Sequence, residues 1–491
     1  MRTRALAVST LACLLGLGLA LERDQSVAQP RRPNVVLTVV DDLGWIDTGA
    51  YGSTFYETPA IDRLAREGVR FTEFYTASPV CSPTRASLMT GQHPARVGIT
   101  DWIGGAQRGR LLPAPYLAEL PLAHTTVGEA FEQAGYVTGY AGKWHLGTGA
   151  FMPGRQGFTE TIAVNDAGQP TTYFFPYRRE QPRDQDVPGL EDGEPGDYLT
   201  DRLTDQAIDF IERHREEPFF LVLAHYAVHT PLEAPDELVA RYVAKAGGPL
   251  DVSESAFESE GPSFTKLRQD HPTYAAMIES TDRSVGRILA TLDALNLADD
   301  TIVVFVSDNG GLSTLTRRGP GTPTSNAPLR SGKGWLYEGG IRAPLIVRGP
   351  GVSHAGRAVA GPAVSMDLYP TLLELARLPL RADQHTDGRS LAPVLRGGDP
   401  DTERTLYWHF PHYHGSGNTP TGAVRAGRYK LIEWFEDGRT ELYRLDEDLG
   451  ERRNLADVEP RRRDELLSQL RRWRTDVGAK MPTTNPDWRD R

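Results

Sequence analysis

The chain has 491 residues, of which 39% are apolar and 24% are charged, and its formal net charge at pH 7 is −11. This composition excludes a fibrous or intrinsically disordered protein, and the acidic balance argues against a nucleic-acid partner. The length predicts two or three folded units, each large enough to bury a core of its own.

The N-terminus has the features of a secretory signal peptide. Arg2 and Arg4 precede an apolar run at residues 5–21, and residues 26–28, Ser-Val-Ala, form a small-residue cleavage pattern. We therefore expect residues 1–28 to be removed and the mature protein to be secreted or periplasmic. The alternative is an uncleaved membrane anchor, although the apolar run is slightly short for a membrane span. No second apolar stretch of spanning length follows, so stable membrane insertion is not expected.

Apolar runs and segments with helical periodicity alternate along most of the chain. Four short runs are apolar throughout, as in strands that are buried on both faces of a mostly parallel sheet. Between them lie segments with helical period and clear start and stop signals. The pattern predicts an α/β fold with a large, mostly parallel mixed sheet flanked by helices. The predicted strands span residues 35–40, 136–141, 219–224 and 301–306, and the predicted helices span residues 59–67, 127–134, 199–213 and 274–295.

The C-terminal part has a different pattern. Residues 383–402 are polar and rich in Gly and Pro, which indicates a linker or a domain boundary. Short strand patterns, a hairpin turn and an amphipathic helix follow, so we expect a smaller C-terminal α+β domain at residues 386–491. The strands are predicted at residues 424–425, 429–434 and 441–445, the turn at Asp437-Gly438, and the helix at residues 461–477.

Charged, imidazole and amide side chains follow each of the four predicted strands. Because the carboxyl ends of parallel strands meet at one edge of a sheet, these side chains are expected to lie together. Carboxylate and amide oxygens, without a cluster of Cys and His, suit Ca²⁺ or Mg²⁺ rather than zinc. The alternative is that the Asp and Asn side chains only cap the loops or helices that follow. The residues are Asp41 and Asp42 after the first strand, Lys143 and His145 after the second, His229 beyond the third, and Asp308 and Asn309 after the fourth.

The mature chain is expected to keep a single thiol. Of the two cysteines, Cys13 lies in the predicted signal peptide, which leaves Cys81 and no internal disulfide. A thiol in an exported protein is open to oxidation unless it is buried or chemically converted. The residues that follow predict a helix beginning at Cys81, with Arg85 one turn along on the same face, so the thiol lies in the positive potential of a helix N-terminus. A buried structural cysteine is the alternative.

The segment around Cys81 resembles the signature of the type I sulfatase family, which belongs to the alkaline phosphatase superfamily. In that family a Cys-x-Pro-x-Arg sequence directs oxidation of the cysteine to formylglycine, and here Cys81-Ser82-Pro83-Thr84-Arg85 is followed by Leu88-Met89-Thr90-Gly91. Further segments resemble family blocks, in family order, from about residue 33 to the C-terminus. They are Asp41-Asp42-Leu43-Gly44, Gly142-Lys143-Trp144-His145-Leu146-Gly147, His229-Thr230-Pro231, Ser307-Asp308-Asn309-Gly310-Gly311, Gly332-Lys333-Gly334, Asp367-Leu368-Tyr369-Pro370-Thr371 and Met481-Pro482-Thr483-Thr484-Asn485-Pro486.

The resemblance implies a sulfuric ester hydrolase whose catalytic domain spans residues 30–385. It implies that a maturation enzyme converts Cys81 to formylglycine, whose hydrate attacks sulfur and afterwards releases sulfate. It also implies one Ca²⁺ per chain, bound by Asp41, Asp42, Asp308, Asn309 and an oxygen of residue 81, which polarises the ester. The implied catalytic residues are Cys81 itself, Arg85 and Lys143 for holding the hydrate, Lys333 and His229 for binding sulfate and protonating the departing alcohol, and His145 as the base that releases sulfate.

The expected substrate is a sulfated carbohydrate, small or polymeric, or an aryl sulfate, since an exported sulfatase meets sulfated polysaccharides. Two alternatives remain. One is a phosphate or phosphonate ester hydrolase, because similar metal and formylglycine chemistry serves phosphoryl transfer. The other is a secreted protein that binds sulfated glycans and in which Cys81 is never converted.

Several features outside these blocks receive weaker interpretations. Residues 232–266 and 312–326 follow catalytic blocks and are expected to form walls of the pocket, whereas residues 158–188 align with no block. The long predicted helix contains Asp282, which is interpreted as structural. A cluster of histidines near aromatic residues has the mixture that sugar sites use; a zinc site is the rival, and a solvated loop is the favoured interpretation. This cluster consists of His409, His412 and His414.

Overall fold

The predicted alternation of strands and helices is present in the structure. The computed structural model describes residues 32–179, 187–248 and 250–489. The predicted signal peptide at residues 1–28 lies outside the described residues. Within the described part of the chain, no helix is long and apolar enough to cross a membrane.

Strands and helices are numbered in chain order. The strands are β1 (Asn34–Val40), β2 (Val69–Phe71), β3 (Phe74–Tyr75), β4 (Leu111–Leu112), β5 (Val137–Gly142), β6 (Glu160–Ile162), β7 (Phe219–Ala224), β8 (Phe257–Glu260), β9 (Ser263–Lys266), β10 (Thr301–Ser307), β11 (Thr314–Leu315), β12 (Leu345–Arg348), β13 (Ala358–Val359), β14 (Ala363–Val364), β15 (Thr405–Phe410), β16 (Thr421–Ala426), β17 (Tyr429–Trp434), β18 (Thr440–Arg444) and β19 (Thr483–Thr484). The helices are α1 (Pro59–Glu67), α2 (Cys81–Thr90), α3 (Pro94–Val97), α4 (Val127–Gln133), α5 (Leu199–Arg213), α6 (Asp236–Ala246), α7 (Pro272–Ala294), α8 (Glu338–Ile341), α9 (Leu368–Leu375), α10 (Ala392–Leu395) and α11 (Pro460–Asp476).

The largest sheet has eight strands in the order β13-β2-β12-β10-β1-β7-β5-β6. Strands β10, β1, β7, β5 and β6 run parallel to one another, and β13 is parallel to β2. The pairings of β12 with β10 and with β2 are antiparallel. The prediction of a large, mostly parallel mixed sheet is therefore confirmed.

Helices cover both faces of this sheet. Successive side chains of a strand point to opposite faces, and β1 shows this division clearly. Its Val35, Leu37 and Val39 pack in a core with residues of α2, α4 and α9. Its Val36 and Val40 pack in a second core with residues of α1, α5, α6 and α7. Because both faces are buried, the central strands are apolar throughout, and the prediction of flanking helices is confirmed.

A smaller C-terminal domain is built on the antiparallel sheet β15-β16-β17-β18. On one face, Val424 and Leu431 pack against Leu466 and Leu470 of α11. The other face packs through Trp408 and neighbouring residues against the first part of the chain. The predicted C-terminal α+β domain is confirmed, while its boundary after residue 385 stays a prediction.

Two features of this region were not predicted. The polar segment at residues 383–402, interpreted as a linker or a domain boundary, contains Leu391, Ala392 and Leu395, which are buried in the core of the large sheet. The first strand of the C-terminal sheet, β15, was not predicted. Its Leu406, Trp408 and Phe410 occupy alternate positions and pack in one core, so a period-two signal was present in the sequence and was overlooked.

Asp282 has the structural role that was predicted. It lies on α7, and its two carboxylate oxygens accept hydrogen bonds from the backbone N–H groups of Ala60, at 3.1 Å, and Ile61, at 2.7 Å. These N–H groups belong to the first turn of α1, where the side chain of Thr58 makes no capping bond. Asp282 therefore caps α1 from another helix and complements the positive end of its dipole.

His225, which follows β7, leads to a prediction about acid stability. It is buried, with Nε2 2.9 Å from Ser284 Oγ, and burial lowers the pKa of His225 from 6.5 to about 4. The unfolded chain therefore binds a proton here at a higher pH than the folded chain, so the folded state loses stability as the pH falls through this window. Between pH ~7 and pH ~5, the wild-type protein should lose about 2 kcal/mol more unfolding free energy than His225→Gln does. Urea unfolding at both pH values measures this difference. Equal pH dependence in both proteins would contradict this role of His225.

Candidate active site

Four adjacent parallel strands, β10, β1, β7 and β5, deliver the predicted site residues to one edge of the large sheet. The predicted residues lie directly after the carboxyl end of a strand, on a loop that returns to this edge or, for Cys81 and Arg85, in the first turns of α2. The structure therefore brings together, through direct contacts, all the residues that the sequence singled out. They are Cys81, Arg85, Lys143, His145, His229 and Lys333, with Asp41, Asp42, Asp308 and Asn309.

Cys81 is the first residue of α2, as predicted. Val80 before it is extended, with φ −140° and ψ 162°, so the helix starts at the cysteine. The helix stops at Gly91, whose φ of 66° is favourable for a residue without a side chain. Cys81 is buried at the positive end of the helix dipole, where an anion is stabilised.

His145 faces Cys81 in a defined tautomer. Its Nδ1 lies 3.3 Å from Cys81 Sγ, and its Nε2 lies 3.1 Å from the carbonyl oxygen of Ile103. A carbonyl oxygen can only accept, so the proton is on Nε2 and the lone pair of Nδ1 points at residue 81. Burial, and then the charge of Lys143, lower the pKa of His145 to about 3. The residue has a φ of 57°, an unfavourable conformation for a histidine that the surrounding structure imposes.

Three buried ion pairs surround the cysteine. Lys143 Nζ lies 2.6 Å from Asp41 Oδ2, and Lys333 Nζ lies 2.6 Å from Asp42 Oδ1. Arg85 donates from Nε to Asp308 Oδ2 at 2.8 Å and from a terminal nitrogen to the carbonyl oxygen of Lys143 at 2.7 Å. Each carboxylate thus has one cationic partner, which offsets part of the cost of burying these charges.

The two carboxylates that follow β1 have opposite pKa shifts. Burial, and then the neighbouring Asp308, raise the pKa of Asp41 well above its ordinary value. Burial also opposes ionisation of Asp42, but Lys333 and His229 outweigh it and lower the pKa of Asp42. Asp42 is therefore firmly charged, whereas an additional cation beside Asp41 favours its ionised form.

Two buried oxygens at this edge accept no hydrogen bond from the described residues. They are Asp41 Oδ1 and Asn309 Oδ1. Asn309 Nδ2 donates to Asp42 Oδ1 at 2.8 Å, which leaves the amide oxygen of Asn309 open. Buried polar atoms without a partner are costly unless a ligand binds them. Hard oxygen donors of this kind fit a divalent cation such as Ca²⁺.

His229 lies between the pocket and the acidic residues. Its Nδ1 lies 2.8 Å from the carbonyl oxygen of Thr230, and its Nε2 lies 3.6 Å from Asp42 Oδ2. Burial, and then Lys333, lower the pKa of His229 to about 3. Ligand atoms of Asp41, Asp42 and His229 all lie within 4.8 Å of one another, a spacing that can hold a metal ion. The sequence predicted that His229 lies at the same sheet edge as these carboxylates, and assigned it to sulfate binding and to protonation of the departing alcohol rather than to metal binding.

The site opens into a cavity of about 540 Å³. Its base is formed by Asp42, Cys81, His145, His229 and Lys333. The remaining predicted residues are buried behind them. Sequence reasoning missed most of the outer wall, which is formed by Trp102, Ile103, Gln107, Gly168, Gln169, Leu312, Leu315, His414, Gly415 and Ser416.

The loops that line the pocket agree only in part with the prediction. Leu312 and Leu315 confirm that residues 312–326 contribute to the pocket wall. Among the described residues, none from 232–266 lines the cavity, so that part of the prediction is wrong. Gly168 and Gln169 come from the segment at residues 158–188, which matched no family block and therefore gave no motif signal.

The histidine cluster is not a solvated loop. His409 and His412 are buried, and their Nε2 atoms lie 2.8 Å from the carbonyl oxygen of Lys480 and from Thr100 Oγ1, respectively. The three histidines take no part in a potential metal site among the described residues. His414 lines the pocket, which the motif pattern did not reveal.

Gly168 leaves room for the imidazole of His145. A Cβ on Gly168 would lie 2.8 Å from His145 Cε1 and 3.1 Å from Nε2, which forces the ring to move. We expect Gly168→Ala to lower kcat for an aryl sulfate by about 100-fold, because small displacements of a catalytic group cost this much. Gly248→Ala is the matched control, since a Cβ there meets no atom within 4 Å. Steady-state kinetics test this prediction, and equal rates for both variants would contradict it.

Family comparisons agree with this geometry. The model of the family described as "Sulfatase" matches residues 33–378. A second model, described as "N-sulphoglucosamine sulphohydrolase, C-terminal", matches residues 331–476. The first match covers more than half of the chain and includes all ten predicted site residues, from Asp41 to Lys333.

Individual relatives cover nearly the whole chain. A protein described as "Sulfatase" from Formosa agariphila is 33% identical over 518 aligned residues, which cover 90% of this chain and 89% of the relative. The N-acetylgalactosamine-6-sulfatase of Canis lupus familiaris is 33% identical, with 92% of this chain and 82% of the relative covered. The crystal structure of Ps i-CgsB in complex with k-i-k-neocarrahexaose has a TM-score of 0.71 and 28% identity, covering 93% of this chain and 95% of that one.

The fold, the site and the comparisons lead to one assignment. A large mixed sheet with a smaller C-terminal domain is the architecture of the solved relatives, and the site at the sheet edge lies within the matched region. The relatives with assigned activity hydrolyse sulfate esters. The chain belongs to the sulfatase family of the alkaline phosphatase superfamily and is a sulfatase, an enzyme that hydrolyses sulfate esters.

Proposed function

We propose that this sulfatase removes sulfate from a sulfated carbohydrate by means of a formylglycine made from Cys81 and one bound Ca²⁺. The local environment of Cys81 is the observation that supports the proposal most directly. The cysteine starts a helix at the base of the pocket, and the unprotonated Nδ1 of His145 lies 3.3 Å from its sulfur. A structural cysteine needs no such partner.

Asp41, Asp42, Asp308, Asn309 and residue 81 are the proposed calcium ligands. The open oxygens of Asp41 and Asn309 support this set, because they are buried and accept no hydrogen bond from the described residues. A bound Ca²⁺ would polarise the sulfate ester and stabilise charge that develops on its oxygens. Lys143 and Arg85, which contact Asp41 and Asp308, balance the charge of the carboxylates and hold them in place.

Formylglycine, once hydrated, supplies a hydroxyl that attacks sulfur and a second hydroxyl whose deprotonation expels sulfate. The residues of the chain position the ester and move protons. His145 accepts a proton from residue 81 through Nδ1, because the bond from Nε2 to Ile103 leaves that lone pair free. Lys333 and His229, which also form the base of the pocket, bind the sulfate group, and the charged Nζ of Lys333 supplies the proton for the departing alcohol.

A carbohydrate substrate is supported by the relatives. One relative is an N-acetylgalactosamine-6-sulfatase, and one structural neighbour is in complex with k-i-k-neocarrahexaose. The cavity of about 540 Å³ is large enough for a sugar unit, since pockets for small molecules start at about 300 Å³. Secretion or periplasmic export, as the N-terminal sequence predicts, would bring the enzyme to such substrates.

Peptide mass and substrate preference together test the proposal. The tryptic peptide of residues 71–85 should have lost one sulfur and two hydrogens and gained one oxygen at Cys81, and only the converted fraction should be active. The same preparation should hydrolyse nitrophenyl sulfate far better than nitrophenyl phosphate. Full activity with an unmodified thiol would overturn the formylglycine mechanism. A preference for the phosphate would favour the phosphate ester hydrolase, and an unconverted Cys81 with tight glycan binding and no turnover would favour the binding protein.

A further inference from the structure

The outer wall of the pocket differs in chemistry from its base. Asp42 and Lys333 are the charged residues that line the cavity within the described part of the chain, and both lie at the base. Above them, the wall consists of aromatic, aliphatic, amide and imidazole side chains. The side chains used below are Trp102, Gln107, Gln169, Leu312, Leu315 and His414.

His414 is held beside Lys333 by the backbone. Its Nδ1 accepts a hydrogen bond from the backbone N–H of Ser416 at 3.2 Å, so the ring proton is on Nε2. Gly334 lets the ring approach this closely, since a Cβ there would lie 2.1 Å from His414 Nδ1. Ser263 Oγ donates to the carbonyl oxygen of Ser416 at 2.7 Å and fixes the loop. His414 therefore presents an uncharged N–H donor from the C-terminal domain.

Trp102 is also fixed in place. Its backbone N–H donates to Asp101 Oδ1 at 2.9 Å, and Tyr116 donates from its hydroxyl to the carbonyl oxygen of Trp102 at 3.3 Å. These bonds fix the backbone of Trp102, and its side chain packs against the core that the C-terminal sheet shares, so the indole gives the pocket an apolar face. Such faces pack against the apolar side of a ring at little cost in conformational entropy.

We propose that the site for the departing alcohol selects an uncharged sugar unit whose only anionic group is the sulfate being removed. This inference rests on the proposed function. Trp102 packs against the ring, Gln169 and His414 bind its hydroxyls, and Gln107 lies at the rim. A second sulfate or a carboxylate would enter a wall that offers no cationic partner among the described residues, and placing an unpaired charge there costs free energy.

Matched substrates test the selection. Hexoses that carry one sulfate, at each ring position in turn, are compared with the same sugars carrying a second sulfate, and nitrophenyl sulfate serves as the reference. For the ring position that the enzyme cleaves, we expect kcat/KM to be at least about tenfold higher for the singly sulfated sugar than for the doubly sulfated one. Equal or better cleavage of the doubly sulfated sugar would overturn the inference and leave the sulfatase mechanism intact. Cleavage of nitrophenyl sulfate alone would overturn both the carbohydrate substrate and the inference.

A charge placed in the wall provides a second test. Gln107 lies at the rim, with an exposed side chain. Gln107→Arg is expected to raise the relative kcat/KM for the doubly sulfated sugar by about threefold to tenfold, whereas Gln107→Met is expected to keep the wild-type preference. An unchanged preference in Gln107→Arg, with wild-type kcat/KM on nitrophenyl sulfate, would contradict the assignment of this wall to the sugar.

Discussion

Cys81→Ser is expected to lower kcat/KM for nitrophenyl sulfate by several orders of magnitude, because the nucleophile of a covalent mechanism cannot be replaced by its neighbours. Serine has no thiol to convert, so residue 81 would carry one hydroxyl instead of the two of a hydrated aldehyde. The substitution is nearly isosteric, and Cys81 starts α2 without a capping side chain, so the fold should be retained. Steady-state kinetics of the purified variant measure the effect.

Thermal unfolding provides the control for this variant. Because Cys81 Sγ contacts His145 at 3.3 Å and makes no disulfide, its replacement removes one weak contact from the fold. The midpoint of unfolding should therefore shift by only a few degrees at most. Wild-type activity in folded Cys81→Ser protein would show that the cysteine is structural, which is the alternative that its burial alone favours.

Removal of calcium is expected to abolish turnover and to destabilise the fold. Without the ion, the buried carboxylates after β1 and β10 lie close together and repel each other. One oxygen of Asp41 and one of Asn309 then have no partner among the described residues. A ligand that binds only the folded state at about 100 times its Kd adds about 2.7 kcal/mol to the unfolding free energy. Chelation followed by readdition of Ca²⁺ should lower and then restore both activity and melting temperature.

The stability readout separates metal binding from catalysis. Cys81→Ser protein, although inactive, should still gain stability from Ca²⁺, since Asp41, Asp42 and Asp308 remain. Asn309→Ala should weaken this gain, because the open amide oxygen of Asn309 is removed. Mg²⁺ at the same concentration should restore less activity and a smaller part of the melting temperature, because its small octahedral shell suits a set of protein oxygens less well. Full activity and unchanged melting temperature after chelation would refute the calcium site.

Much of the fold was predictable because its signals are local. Strands buried on both faces are apolar throughout, so β7 was predicted with its observed bounds of Phe219–Ala224, and α1 and α5 agree with their predicted spans. The observed ends of α4 and α7 differ from the predicted ends by one or two residues, because helix ends depend on tertiary contacts. By contrast, β15 was missed although its Leu406, Trp408 and Phe410 occupy alternate positions, because the strand is short and its other residues are polar or aromatic.

The residue types of the site and their position at one sheet edge were predicted from the sequence alone. Short motifs after consecutive strands contain Asp41, Lys143, Asp308 and their neighbours, and parallel strands must deliver such residues to one edge. The tertiary structure decided the tautomer of His145, through the carbonyl oxygen of Ile103, and the shape of the pocket. Its wall combines Trp102, Gln169 and residues near positions 312 and 414, which are far apart in the chain. Contacts between such distant segments depend on how layers and domains pack, and a linear pattern does not contain that information.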